Sequence, residues 1–206
     1  MKLYDTPRAP NPRRVRWFMA EKNITDLPIV PLDLMKGEHR QPDYLDKAGL
    51  PNVPALELDD GRTITESLAI CRYLEHRYPE PNLFGRTPEE EAVIEMWTRR
   101  AEHLVSVPFM LAVRHTHPAL GALERNQTPA VGEYNKEQGL RALHVLDRRL
   151  GESEWLAGDR LTIADIIAFV GIDFTRMIKL EIPADMPNLH RWMEAMRARP
   201  AAEMAR

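Results

Sequence analysis

The chain has 206 residues, a formal net charge of −3, 44% hydrophobic and 29% charged residues, and one cysteine. A chain of this length buries a full core without staples and forms one domain or two small ones. Its near balance of charge leaves no electrostatic footprint for nucleic acid or an anionic membrane. A lone cysteine excludes an internal disulfide and any cysteine-based zinc or iron–sulfur centre, and it fits a reducing cytosol. The opening Met-Lys-Leu-Tyr-Asp-Thr-Pro puts an acid and a proline where a signal peptide needs an apolar run. The longest apolar stretch, Ile166 to Ile172, is far short of the about 20 residues that span a bilayer. These features predict a cytoplasmic protein.

Along the chain, Leu3-Tyr4 opens a short strand that Pro7 ends. Pro12 to Lys22 reads as a helix, with Val15, Phe18 and Met19 at helical spacing. Asn11 stands where an N-cap belongs and Pro12 where the first helical residue belongs. Ile29 to Leu32 reads as a strand, and Pro31 places it at a sheet edge because proline donates no ladder hydrogen bond. Ala55 to Leu58 alternates, Asp60-Gly61 is a hairpin turn pair, and Arg62 to Thr65 returns. Ser67 to Tyr78 is then a helix.

The proline-rich stretch Pro79 to Gly85 is a linker, and the strand signals stop after it. Helices are predicted from Thr87 to about Ala112 with a bend at Pro108, from Pro129 to Leu150, from a capping box at Thr162–Asp165, and from Pro187 to Arg199. The third of these is apolar all round and therefore buried. The organisation is a small mixed domain over residues 1–80 and an all-helical domain over 87–206.

Phosphate loops, nucleophile elbows and zinc-protease motifs are absent from the sequence. Three segments remain that carry chemistry. Val53-Pro54 leads straight into a strand, so it is either an ordinary proline at a strand start or a cis step that turns the Val53 N–H and C=O outward for an added peptide strand. Thr65-Glu66-Ser67 opens a helix, either as a plain N-cap or as a carboxylate site with Glu66 facing an ammonium. Asn11-Pro12 either caps its helix or uses the helix dipole and the asparagine amide to stabilise an anion such as a thiolate.

Together these segments resemble the cytosolic glutathione S-transferase family, of bacterial type. Ala9 to Lys22 resembles the first helix, Asn52 to Arg62 the cis-proline loop and hairpin, and Thr65 to Glu75 the γ-glutamyl turn. The linker Tyr78 to Gly85 and the later Leu156 to Ile166 are also similar, so the resemblance covers nearly the whole chain. It implies a thioredoxin-like domain with a mixed four-stranded sheet, followed by the all-helical domain. It implies glutathione as co-substrate, no metal, a detoxifying reaction and a homodimer, with the face of Arg72, Glu75 and Tyr78 as a candidate contact.

By that resemblance Val53, before Pro54, pairs with the cysteinyl backbone of glutathione, and Glu66 and Ser67 hold its γ-glutamyl end. His39 and Asn52 stand near the glycyl carboxylate. The sequence departs from the family where serine or cysteine is usual, because Ala9 has neither hydroxyl nor thiol. Tyr4 is out of step with the tyrosine-using classes. Asn11 is therefore the expected donor to the glutathione sulfur, with Thr6 second.

The hydrophobic electrophile is expected between the domains, against the first long helix of the second, with Trp97, Met110, Arg114 and His115 as linings. His115 and His117 lie two apart and do not share a helix face, which argues against a metal pair. Cys71, in mid-helix, reads as a buried structural thiol. The leading expectation is thiolate attack on a hydrophobic electrophile. The alternatives are glutathione-dependent disulfide or peroxide reduction, and a non-enzymatic binding module of the same fold.

Overall fold

The computed structural model describes residues 1–205. These divide into two compact units, Met1–Pro81 together with the residues from Pro200 on, and Asn82–Arg199. The expected helical domain ran to 206, whereas the last short helix joins the first unit.

In the first unit the order is β1 (Lys2–Asp5), α1 (Pro10–Glu21), β2 (Ile29–Pro31), α2 (Pro42–Ala48), β3 (Ala55–Glu57), β4 (Thr63–Thr65) and α3 (Ser67–Arg77). The sheet order is β2-β1-β3-β4. β1 pairs parallel with β2 and antiparallel with β3, which pairs antiparallel with β4. The parallel pair needs a crossover, and α1 supplies it. β2 lies at the edge, as Pro31 requires. Leu3, Val15, Phe18, Leu56, Ile70 and Leu74 are fully buried and form the core between sheet and helices.

α1 begins two residues earlier than the sequence pattern indicates. Ala9 is the N-cap, extended at φ −82° and ψ 141°, so Asn11 occupies the second helical position and is not the cap. Pro10 is as well preset for a first helical residue as Pro12, and it holds Ala9 extended as prolines do to the residue before them. At the other end of α1, the Lys22 ammonium is buried. It donates to the carbonyls of Tyr78 and Pro81 at 2.7 Å each and pairs with Glu75 at 2.8 Å. Glu75 is thereby taken up inside the unit, which corrects its expected place on a docking face. Tyr78 donates its hydroxyl to Asp26.

The second unit contains α4 (Pro88–Arg100), α5 (Val107–Thr116), α6 (Pro129–Glu152), α7 (Ile163–Phe174) and α8 (Pro187–Arg197). The bend expected at Pro108 is a wide π-type turn over Ala101–Ser106, immediately before it. The proline ring crowds the carbonyl four residues back, and widening the preceding turn relieves this. Gly132 and Gly139 let α6 approach α5, since a Cβ at either would lie 2.4 Å from Thr116 or Phe109. Every residue of α7 from Ile163 to Asp173 is buried.

The predicted capping box is present in α7. Asp165 accepts from the Thr162 N–H and hydroxyl, the Leu156 N–H and the Trp192 indole at 2.9–3.0 Å. Burial pushes its carboxyl up and these four donors pull it back, with burial the larger influence. The short final helix, α9 (Pro200–Met204), packs on α1, where the Ala205 carbonyl accepts from Arg16.

Candidate functional site

The ladder register fixes where the site lies. Asp5 pairs with Pro31, Tyr4 with Ala55, and Ala55 with Thr65. Thr6 therefore leaves the sheet at the same end at which Pro54 enters it and Glu66 leaves it. The Val53–Pro54 peptide is cis. Glu66 has φ 67° and ψ 121°, a conformation that costs a non-glycine residue about 1–3 kcal/mol and concentrates at functional positions. It is the N-cap of α3, it is exposed, and its side chain makes no capping bond. Ser67 is buried, and the Arg14 guanidinium donates to its hydroxyl at 3.4 Å. Arg14 lies one turn after Asn11, so the starts of α1 and α3 meet at this end of the sheet.

The first turn of α1 has few amides to offer. Pro10 and Pro12 carry no N–H, and the Arg13 N–H donates to the Ala9 carbonyl at 3.2 Å. The backbone N–H of Asn11 is left without a partner among the described residues, at the positive end of the helix dipole. The Asn11 side-chain oxygen and His39 Nδ1 are both buried without a partner among the described residues. Such atoms are uncommon in folded proteins, and an unbound ligand is one physical reason for them. Burial, with Arg40 beside it, lowers the His39 pKa and keeps its imidazole neutral. Asn52 is exposed and its carbonyl accepts from the Tyr44 hydroxyl, which holds the loop leading to Val53. Burial pushes the Tyr44 pKa up to about 12, so the hydroxyl stays a donor.

Thr6 is 5% exposed and braced from behind. Arg16 pairs with Asp5 at 2.6 and 2.7 Å and donates to the Thr6 carbonyl at 3.3 Å. The pattern of residues did not point to Arg14 or Arg16 as supports. Arg14 precedes Val15 and lies four before Phe18, so a charged residue on the buried stripe was the available signal. Tyr4 donates its hydroxyl to Glu57 at 2.8 Å, two residues into the sheet from Ala55, and so faces away from this end. That contact, with Lys47 and Lys2 nearby, holds the Glu57 carboxyl down at about 2. Cys71 is fully buried and burial pushes its thiol up, as a structural thiol requires.

The residues expected to line an electrophile pocket are largely occupied within the helical unit. Trp97 is 6% exposed, and the guanidinium groups of Arg100 and Arg149 lie over its ring at 4.7 and 5.5 Å from the ring centre. Arg114 pairs with Glu124 at 3.4 Å. His115 Nδ1 accepts the Thr128 N–H at 3.1 Å. Met110 is half-buried. An open cavity of about 710 Å³ in this unit, lined by Ala112, Thr116, Lys136, Met177 and Leu180 among others, contains none of the four. Among the described residues no three His, Cys, Asp or Glu side chains converge as a metal set, and no helix is long and apolar enough to cross a membrane.

The β2-β1-β3-β4 sheet with its cis Val53–Pro54 step is the arrangement of a thioredoxin-like domain. Comparison with known proteins agrees. Residues 3–82 match the glutathione S-transferase N-terminal domain and residues 104–200 the glutathione S-transferase C-terminal domain. The chain is 38% identical over 205 residues to glutathione S-transferase 2 of Saccharomyces cerevisiae, covering 98% of this chain and 88% of the relative. It is 34% identical to glutathione S-transferase 3 of Zea mays, covering 98% and 90%. Among solved structures, a glutathione S-transferase domain-containing protein of Marinobacter aquaeolei is 41% identical with a TM-score of 0.93, covering 98% and 99%. Gtt2 of Saccharomyces cerevisiae is 36% identical with a TM-score of 0.94, covering 100% of both chains.

The chain belongs to the glutathione S-transferase family. It is a transferase that uses glutathione as its co-substrate.

Proposed function

We propose that glutathione binds across the end of the first unit's sheet and that its thiolate attacks a hydrophobic electrophile. In this reading Val53 pairs with the cysteinyl backbone, next to Pro54. Glu66 takes the γ-glutamyl ammonium, and Ser67 with the start of α3 takes its carboxylate. His39 and Asn52 face the glycyl end. Asn11 donates to the sulfur, with Thr6 beside it.

The observation that carries the reading is Asn11 at the uncapped start of α1, with its side-chain amide oxygen buried and without a partner among the described residues, and its backbone N–H unclaimed in a turn whose other early amides are missing or used. A thiol of pKa about 8.5 is mostly protonated at pH 7. Each unit of lowering needs about 1.4 kcal/mol of preferential thiolate stabilisation. A charge-assisted hydrogen bond and the α1 dipole together supply about 2 kcal/mol. No protein nucleophile is required. The four pocket residues Trp97, Met110, Arg114 and His115 are not carried into this proposal as a group, because three of them are engaged in the helical unit.

Ultraviolet titration of bound glutathione tests the assignment. Asn11→Ala is expected to raise the bound thiol pKa by about one unit while glutathione affinity changes less. An unchanged thiol pKa would remove the Asn11 side-chain amide from the role.

We also propose a cytoplasmic homodimer. The support is an apolar stripe on α4, the π-type turn and α5, where Val93, Met96, Leu104 and Val107 are 38–46% exposed. Sedimentation at micromolar concentration is expected to give a dimer, and a lone monomer peak refutes it.

A further inference from the structure

The loop between β1 and α1 turns on an arginine. Pro7 and Arg8 are its central residues, and Arg8 has φ 70°. A positive φ at the second central residue of a turn is the place of glycine or asparagine. The neighbours explain why the reversal falls on residue 8. The Pro7 ring fixes its own φ. Ala9 precedes Pro10 and is held extended. Glycine would make this turn without cost, so the arginine side chain is present at the expense of backbone strain, which is a pointer to function.

The location gives that pointer its content. Arg8 is exposed, and among the described residues its guanidinium has no ion pair. It stands two residues from Thr6 and three from Asn11, in the loop that borders the proposed sulfur position. The nearby Arg16 is neutralised by Asp5, so it adds little to the field there. An unpaired guanidinium beside a reacting thiolate attracts anions and offers carboxylates a planar pair of donors.

We propose that Arg8 is a specificity-determining residue that favours electrophiles carrying a carboxylate or sulfonate near the reacting carbon. The proposal rests on the reading of the glutathione site given above. Arg8 takes part in no bond change. In conjugation of a chloronitroarene the thiolate forms the carbon–sulfur bond, and chloride leaves with the carbon–chlorine electron pair.

The test compares kcat/KM for a neutral chlorodinitrobenzene and for the corresponding chlorodinitrobenzoate. The substitutions are Arg8→Gly, Arg8→Gln and Arg8→Lys, each at low and high salt. The anionic-to-neutral ratio is expected to fall about fivefold in Arg8→Gly and Arg8→Gln and to persist in Arg8→Lys. Added salt is expected to shrink the wild-type ratio. Arg8→Gly should melt no lower than wild type, because glycine fits φ 70°. An equal ratio in all four proteins overturns the proposal. So does a parallel loss on both substrates with a raised bound-thiol pKa, which would make Arg8 a thiolate-stabilising group. Failure of the wild type to conjugate even the neutral compound would instead overturn the reading of the site, and this proposal with it.

Discussion

Two helix starts in this protein are built in opposite ways. At α7 the Thr162–Asp165 box fills its donors, adds the Leu156 N–H and the Trp192 indole, and buries the whole assembly. At α1 the cap is an alanine with no side chain to offer, two of the first three positions are prolines, and one amide is left over. The start of α3 is likewise uncapped, behind a strained Glu66. A satisfied helix end contributes to folding, and an unsatisfied one keeps its field available for a ligand. The contrast separates residues that hold the fold from residues in the proposed glutathione site.

Removing the filled cap should have the largest effect. Asp165→Ala strips partners from four buried donors and should cost about 3 kcal/mol or more in denaturant unfolding. The folded fraction should keep wild-type glutathione affinity. Parallel loss of affinity in folded protein would show that the two ends are not independent.

Filling the empty cap should act in the reverse sense. Ala9→Asn introduces a side-chain acceptor for the Asn11 N–H and should stabilise the protein by about 1 kcal/mol. It should also raise the pKa of the bound thiol by competing for the Asn11 N–H. Greater stability with an unchanged thiol pKa would mean that this amide does not serve the sulfur.

The smallest effect concerns His39. Its folded pKa is lowered by burial and by Arg40, so the unfolded state binds the proton first. Stability should therefore hold above about pH 6.5 and decline as pH falls through that value. His39→Gln should flatten this part of the pH–stability curve. An identical decline in the variant would assign it to other groups.

Much of this was legible in the residues. Pro31 marked an edge strand, Asp60-Gly61 the hairpin, and Thr162–Asp165 the box, because each follows from local stereochemistry. Glu66, Ser67 and Val53-Pro54 were found as segments, but only the β-ladder register brought them to one end of a sheet. Asn11 was found as a residue but placed two positions too early in its helix, since two prolines two apart serve equally well as a helix start. α2 escaped notice because its seven residues turn only Tyr44 and Ala48 inward, too few for a period. The π-type turn and the inward packing of Trp97 depend on neighbours distant in sequence, and no local pattern encodes them.

The hydrogen bond from Arg16 to the Ala205 carbonyl spans 189 residues. Arg16 is also the side chain that braces Asp5 and the Thr6 carbonyl. On a ribosome, Arg16 is made early and this acceptor only after all of Asn82–Arg199 has been synthesised. The first unit can collapse around its core in the meantime, yet the brace behind Thr6 stays one partner short. The order of synthesis thus makes the end of the sheet that carries the proposed site among the last parts to be completed.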